Sequence, residues 1–454
     1  MKGEHKVKKI KISDNKRFLV YEDGKPFFYL GDTAWELFHR LNEVQAQRYL
    51  INRAAKGFNV IQAVVLSEVN GIIEPNANGH LPLIDMDPCK PNEDYFKHVD
   101  SIIDFANSLG MYVGLLPCWG YYVWGEKKIF DENRARHYGR FLGQRYKDKG
   151  VIWILGGDRP VEGAENVWGE MASGIKEGDQ GSHLITFHPY GGCSSSEHLH
   201  NAWWLDFNMI QSGHSRHGNP NYLMIKKDYE IEPKKPVIDG EPCYENIPVA
   251  FNDKNGRFTD YDCRVAAYWS VFSGAFGHTY GCNDIWQMYD GKHEPLAYAN
   301  TLWNNALNFP GSYQMRHLKN LMLSRPFTTR IPDPSLVYGK INELCYGADY
   351  QAATRDGTPG VKDATYIMVY RPLMCYISVD TSYIAGDKIR VWWYDPKNGV
   401  AYSSPIIDNP KKRFEGLWNY LPWHDDIDHT DWVLVIDDAS CNYPAPGTPL
   451  AEQV

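Results

Sequence analysis

Short apolar segments alternate with longer helical segments from about residue 27 to about residue 325 of the chain. Apolar runs without polar alternation are typical of strands that are buried on both faces of a parallel sheet. Eight such runs can be counted, and this number predicts a closed (β/α)8 barrel, the α/β fold known as a TIM barrel. The predicted strands are Phe27–Leu30, Val60–Leu66, Tyr112–Leu116, Val151–Leu155, Leu184–Phe187, Leu205–Ile210, Pro236–Ile238 and Phe276–Tyr280.

The segments between these strands carry helix signals at both ends. From Val99 to Gly110, apolar residues recur at three- and four-residue steps, and the closing glycine suits the position after a helix. From Asp131 to Gly150, an acidic start and a basic end repeat this arrangement. An open doubly wound sheet is the alternative, but no GxGxxG motif follows the first strand, so the pattern favours the barrel.

Two further regions flank the predicted barrel. Residues 11–30 predict two strands about an Asp23-Gly24 turn, the second of which leads into the barrel. Beyond about residue 330, alternating segments separated by turn residues predict a small antiparallel β-sandwich. We therefore expect an N-terminal hairpin segment at residues 1–26, a catalytic barrel at 27–330 and a sandwich domain at 331–454.

Composition argues against several classes of partner. A formal net charge of −9 offers no overall attraction for a polyanion, so nucleic acid is not expected. No run of about 18 apolar residues predicts a membrane span. The 15 Trp and 30 Tyr residues, which combine a flat apolar face with a polar edge, suit a carbohydrate partner, although most of them are expected in the core.

The cysteines and the N-terminus are less informative. Nine Cys residues without zinc-site spacing predict mostly buried, free thiols, and neither a metal nor a cofactor is expected. The first residues lack the apolar core of a signal peptide. Compartment stays open: periplasmic or secreted if a signal peptide has been removed, and cytoplasmic otherwise. The oligomeric state is also open.

Two acidic residues follow strands on opposite sides of the predicted mouth. In TIM barrels the strand C-termini carry the active site, and here Asp158 follows the fourth strand and Glu241 the seventh. Glycoside cleavage needs a carboxylic acid and a carboxylate that face one bond, so we predict these two residues as the catalytic pair. Asp158 could instead be a turn residue or helix cap, and Asp32 and Glu68 are alternative acids.

Other polar and aromatic residues at the strand ends are candidates for contact with a sugar. They are Asp32, Trp35, Trp119, Tyr122, His188, Tyr190, Gln211, His214, Tyr244 and Trp286.

The segments LVYEDGKPFFYLGDTAWELFHRL, GFNVIQAVVL, VIWILGGDRP and VIDGEPCYE resemble the apiosidase-like glycoside hydrolases, relatives of the large retaining (β/α)8 clan. The resemblance covers nearly the whole chain, because those proteins often carry a C-terminal β-sandwich that has been labelled collagen-binding. It implies that Asp158 is the acid/base and Glu241 the nucleophile of a retaining double displacement. It also implies a plant-type polysaccharide substrate or its side chains, with apiose in pectin as the leading example.

One departure from the wider clan affects the acid. Its members commonly present Asn-Glu after the fourth strand, whereas this chain has Gly157-Asp158. The shorter acid must therefore come closer to the leaving oxygen.

Two other functions remain open on the sequence. A metal-dependent hydrolase on the same barrel would use some of the 16 His residues, although His198 and His200 lie outside the strand ends and His214 with His217 is a lone pair. A non-catalytic carbohydrate-binding protein is the alternative from another class. Retention of both acids favours the enzyme.

Overall fold

The computed structural model describes residues 7–338, 349–373, 377–414 and 431–453. The strands in chain order are β1 Ile10–Ile12, β2 Leu19–Tyr21, β3 Tyr29–Thr33, β4 Val60–Leu66, β5 Tyr112–Cys118, β6 Val151–Gly156, β7 Ile185–His188, β8 Asn208–Ile210, β9 Val237–Asp239, β10 Gly277–Tyr280, β11 Ile331–Pro332, β12 Ala352–Arg355, β13 Tyr366–Arg371, β14 Val379–Asp380, β15 Lys388–Asp395, β16 Val400–Ser403, β17 Ile407–Asp408, β18 Arg413–Phe414 and β19 Trp432–Asp438.

Helices follow every strand from β3 to β10. They are α1 Leu37–Arg40, α2 Glu43–Ala55, α3 Glu93–Ser108, α4 Glu132–Tyr146, α5 Glu165–Asp179, α6 Ser196–Leu199, α7 Asn221–Glu230, α8 Asp260–Phe272, α9 Asn283–Trp286, α10 Trp303–Ala306 and α11 Pro310–Met322. As the sequence signals predict, the Asp131 side chain caps α4 by accepting a hydrogen bond from the Arg134 N–H.

All eight predicted barrel strands are present, as β3 to β10. Six of them form one parallel sheet in the order β10-β3-β4-β5-β6-β7, and the last strand can lie beside the first only if the sheet curls. The other two, β8 and β9, form a separate parallel pair. Single backbone–backbone hydrogen bonds, Asp206 N to Ile185 O (2.8 Å) and Phe276 N to Val237 O (3.1 Å), link this pair to its neighbours. The sheet is therefore TIM-barrel-like, but its hydrogen-bond ladder is not closed over the part of the chain that the structure describes.

The C-terminal region is an antiparallel sheet domain that differs in layout from the predicted sandwich. Seven strands form one sheet, with β13, β19 and β15 at its centre, while β14 and β18 form a small second sheet. Along β13, Ile367 and Val369 pack toward the small sheet, but Tyr366, Met368 and Tyr370 join the barrel core. Part of the predicted strand MCYISVD lies outside the described residues.

A buried ion pair fixes this sheet to α8, the barrel helix that follows β9. The Arg264 guanidinium on α8 donates to both carboxylate oxygens of Asp431 at 2.9 Å, and the Tyr268 and Tyr370 rings stack with centroids 4.7 Å apart. Bidentate pairs of this kind combine charge with a fixed geometry. The sheet domain therefore braces α8.

Two further predictions from the sequence concern membrane-spanning helices and the cysteines. The described helices include none that is both long and apolar enough to cross a membrane. Seven cysteines are free thiols, and Cys345 and Cys375 lie outside the described residues.

Candidate active site

The carboxyl group of Asp158 reaches the mouth of the barrel through a left-handed bend. Gly156, Gly157 and Asp158 have φ angles of 94°, 117° and 50° in succession. A Cβ on Gly156 would lie 2.3 Å from the His188 carbonyl oxygen, and one on Gly157 would lie 2.8 Å from the Trp119 ring. Only glycine tolerates both these backbone angles and this crowding. The two glycines of the GGD motif therefore allow the bend that directs the Asp158 side chain into the mouth.

Glu241 is held at the end of β9 by two histidines. His214 Nε2 donates to Oε1 at 3.0 Å. His188 Nε2 lies 3.1 Å from Oε2, in ion-pair contact rather than in hydrogen-bond alignment. The glutamate is only 4% exposed. Its contacts come from the ends of β7 and β8, so three adjacent strand ends fix one carboxylate.

The two carboxyl groups lie side by side. One oxygen of Asp158, one oxygen of Glu241 and a ring nitrogen of His188 all lie within 4.8 Å of one another. Like charges at this distance cannot both be stable in a buried site. One of the two groups is therefore expected to keep its proton.

The surroundings decide which group stays protonated. Burial and the charge of Glu241 raise the pKa of Asp158 to about 6. Burial also opposes ionisation of Glu241, but the close contacts and charges of His188 and His214 outweigh it and lower its pKa to about 2. Between about pH 2 and pH 6 the pair thus combines a carboxylic acid with a carboxylate, the combination that acid-assisted displacement requires.

Aromatic rings pack against both histidines. The His188 ring meets Trp35 edge-on at 5.4 Å and Trp119 at 5.9 Å between centroids. On the other side the His214 ring packs on Tyr244 at 4.6 Å. Burial and the neighbouring Glu241 raise the pKa of the Tyr244 phenol, so its hydroxyl keeps its proton and can donate a hydrogen bond.

Of the predicted sugar contacts, some lie at the carboxyl pair and others do not. His188, His214 and Tyr244 contact or flank Glu241, and a hydrogen bond from Gln211 stabilises the ionised form of Asp158. Trp35 and Trp119 are fully buried behind His188. As sugar contacts, all of them stay predictions.

The other four candidates have structural partners or lie apart from the pair. Asp32 faces α2, where it accepts hydrogen bonds from Tyr49 and Arg53. The Tyr122 hydroxyl donates to the Ser67 carbonyl, Trp286 Nε1 donates to Asn283, and Tyr190 is 42% exposed. Neighbouring residues alternate between the two faces of a strand, so Asp32 points away from the barrel interior that Gly31 lines.

A third acid, Glu68, lies in the same cleft. Burial and the nearby charges of Asp158 and Glu36 raise its pKa well above its ordinary value. Its loop is held by Glu36, a residue not singled out in the sequence, which accepts hydrogen bonds from Val69 N (3.1 Å) and His39 Nδ1 (2.7 Å). The only sequence signal for Glu36 was a charged residue inside a buried apolar run.

The fold and the paired carboxyl groups define the class: this is a glycoside hydrolase. A family model described as "Apiosidase-like, catalytic domain" matches residues 13–329, and the chain belongs to that family. A second model, "Putative collagen-binding domain of a collagenase", matches residues 331–437.

Solved structures agree with this assignment. A glycoside hydrolase family 5 protein from Bacteroides vulgatus ATCC 8482 is 35% identical, with 98% of this chain and 97% of that chain covered and a TM-score of 0.87. A second structure, titled only as a glycoside hydrolase, is 37% identical over 96% of this chain and 98% of its own, with a TM-score of 0.86. No curated protein gave a match.

Proposed function

We propose that the enzyme is a retaining glycoside hydrolase with Glu241 as nucleophile and Asp158 as acid/base. The observation that carries the proposal is that one oxygen of Asp158 and one oxygen of Glu241 lie within 4.8 Å of each other, while the two pKa values shift in opposite directions. Retaining enzymes hold the carboxyl groups about 5–5.5 Å apart, whereas inverting enzymes need about 6.5–9.5 Å to admit a water molecule between them.

In this mechanism the Glu241 carboxylate attacks the anomeric carbon while the Asp158 carboxyl donates its proton to the leaving oxygen. The glycosyl–Glu241 ester is then hydrolysed by water that Asp158, now ionised, deprotonates. His214 and His188 keep Glu241 ionised before the attack. The two-step path returns both carboxyl groups to their starting protonation states.

The stereochemistry of the first product tests the mechanism. Wild-type enzyme would be screened on a panel of 4-nitrophenyl glycosides and on pectin side-chain oligosaccharides. The anomer released from an active substrate is then followed by ¹H NMR within minutes of mixing. We expect the substrate anomer to appear first and to mutarotate later. Initial release of the opposite anomer would show inversion.

We infer that the substrate is a plant-type polysaccharide side chain, with terminal apiose as the first sugar to test. This inference rests on membership of the apiosidase-like family and on the aromatic side chains about the mouth. Product identification from the pectin panel decides it, because the released sugar can be assigned by chromatography against standards.

The pKa shifts predict an acidic optimum. Catalysis needs Asp158 protonated, so kcat/KM should fall tenfold per pH unit above about pH 6. It also needs Glu241 ionised, and the corresponding acid limb lies near pH 2. A pH profile of kcat/KM on an alkyl glycoside, with enzyme stability checked at each pH, measures both limbs. A rate that is unchanged from pH 5 to pH 8 would contradict the assignment of Asp158.

A metal-dependent hydrolase is the second candidate, because Asp158, His188 and Glu241 are also groups that can bind a cation. A tetrahedral zinc ion with bonds of about 2.0–2.2 Å would hold its ligands roughly 3.3–3.6 Å apart. The three atoms lie within 4.8 Å of one another, with His188 Nε2 3.1 Å from Glu241 Oε2, so these separations are compatible with a shared cation. Incubation with a chelator distinguishes the two candidates. Full activity after EDTA treatment supports the glycosidase pair, and loss that zinc restores supports the metal site.

A further inference from the structure

Two exposed aromatic rings on the mouth loops stand on strained backbone. Phe251 lies in the loop after β9 and is 58% exposed, and Tyr298 lies in a second loop, between α9 and α10, and is 54% exposed. In each case the aromatic residue and the alanine before it have left-handed φ angles: 53° and 56° for Ala250 and Phe251, and 45° and 57° for Ala297 and Tyr298. Two consecutive non-glycine residues in this region are costly, at roughly 1–3 kcal/mol each.

Hydrogen bonds from two buried side chains hold the strained backbone before Tyr298. Asn283 Nδ2 donates to the Ala297 carbonyl at 2.8 Å, and Gln287 both donates to and accepts from the backbone of Leu296. Asn283 and Gln287 are themselves buried. These buried side chains therefore hold the loop backbone in its left-handed conformation, and the Tyr298 ring is exposed to solvent.

The loop that carries Phe251 is bound to the active site itself. Ala250 N donates to the His214 carbonyl oxygen at 2.7 Å, and the Phe251 ring meets the His214 ring edge-on with centroids 5.5 Å apart. His214 is the residue that donates to Glu241 at 3.0 Å. Phe251 is therefore one side chain removed from the nucleophile, yet more than half of it faces solvent.

One arginine ties the two loops together. The Arg257 guanidinium donates to the Asn246 carbonyl at 2.8 Å, to Asp253 at 2.6 Å and to the Tyr298 carbonyl at 3.0 Å. The Asn246 side chain in turn donates to Asp284 of α9 and to Asn300 of the second loop. The two rings are thus carried by one braced unit on a single side of the mouth.

We propose that Phe251 and Tyr298 form a stacking platform for the sugar units of an oligosaccharide that lie beyond the cleaved bond. A protein does not gain stability from an exposed ring on strained backbone, but a flat apolar face beside a glycosidase site matches the apolar face of a pyranose ring. The platform rests on the proposed function, because it assigns an oligomeric glycan rather than a single glycoside as the substrate.

Comparison of two substrates tests the platform. The probes are the 4-nitrophenyl glycoside that the wild-type enzyme cleaves and the pectin oligosaccharide that carries the same terminal sugar. We expect Phe251→Ala to reduce kcat/KM at least tenfold more on the oligosaccharide than on the aryl glycoside, and Phe251→Trp to restore most of the loss. Trp203→Ala is the control, because this 68% exposed ring precedes β8 and so lies at the opposite end of the barrel.

Thermal unfolding separates binding from a structural role. Phe251→Gly should raise the unfolding midpoint because glycine relieves the left-handed strain, and Met86→Gly, at a matching strained and exposed position, should do the same. Only the Phe251 variant should lose rate on the oligosaccharide.

Equal losses of kcat/KM on both substrates would overturn the platform while leaving the hydrolase intact. Failure of the wild-type enzyme to cleave any member of the panel would instead count against the proposed function.

Discussion

Replacement of Glu241 by glutamine is expected to reduce kcat by on the order of 10⁴-fold or more without unfolding the protein. The amide has nearly the same shape as the carboxylate, so its oxygen can still accept from His214. It cannot form the glycosyl ester, because an amide oxygen is a poor nucleophile. Steady-state rates on the best aryl glycoside and thermal unfolding of the same samples measure the two effects.

The Glu241→Gln replacement should also change the pKa of Asp158. The charge of Glu241 is one cause of the raised pKa of Asp158, so removing that charge should lower the aspartate pKa. Carbon-detected NMR of the aspartate carboxyl groups can follow this titration in the inactive variant. An unchanged Asp158 pKa would mean that the two groups are not coupled.

Asp239→Asn is a matched control for Glu241→Gln. Asp239, the last residue of β9, lies two residues before Glu241, is fully buried and accepts from Ser212 Oγ at 2.7 Å and from Asn221 Nδ2 at 3.1 Å. The same carboxyl-to-amide change there alters a structural hydrogen-bond network, not the reacting pair. Turnover near that of the wild type by Glu241→Gln, or an equal loss in both variants, would reject the nucleophile assignment.

The sequence predicted the positions of the barrel strands because their apolar runs are buried on both faces. Because both faces are buried, the sequence could not show which face of the strand each side chain lies on. Asp32, in β3, was a candidate for sugar binding, yet it faces α2 and pairs with Arg53 at 2.6 Å. Alternation of polar and apolar residues shows which way each side chain points only when one face of the strand is exposed to solvent. Neither face of β3 is exposed.

The C-terminal sheet illustrates the same limit. Every residue of β13 from Tyr366 to Arg371 is buried, because the barrel covers one face of the sheet and the β14–β18 pair covers the other. A sandwich prediction assumes that outward side chains meet water. In this domain the outward side chains of β13 pack against the barrel instead. The polar and apolar pattern of one strand cannot show this contact.

The acids and the strained loops differ in how much sequence signal they leave. Asp158 and Glu241 follow glycines at strand ends, so their position at the mouth could be predicted, but their pKa shifts depend on His188 and His214 from other strands. Phe251 and Tyr298 left no signal, since left-handed backbone is normally predicted from glycine or asparagine. Their conformation comes from distant partners such as Arg257 and Asn283.

Asp158→Asn should give a loss that depends on the leaving group. General acid catalysis contributes about 10²–10⁴-fold when the departing oxygen needs a proton and little when it departs as a stable anion. We therefore expect kcat/KM to fall by about that factor on alkyl glycosides or oligosaccharides and by less than about tenfold on 2,4-dinitrophenyl glycosides. A plot of log(kcat/KM) against leaving-group pKa should be steeper for the variant than for the wild type.

The neighbouring Glu68 makes this prediction discriminating. Its pKa is also raised, by burial and by the charges of Asp158 and Glu36, so it too can carry a proton in the cleft. The Asp158 carboxyl, however, lies with Glu241 inside a 4.8 Å cluster, as the acid of a two-carboxylate mechanism must. Glu68→Gln should leave the dependence on leaving-group pKa as in the wild type. If Glu68→Gln steepens that dependence and Asp158→Asn does not, the acid is Glu68, and Asp158 serves only to position Gln211 and the GGD bend.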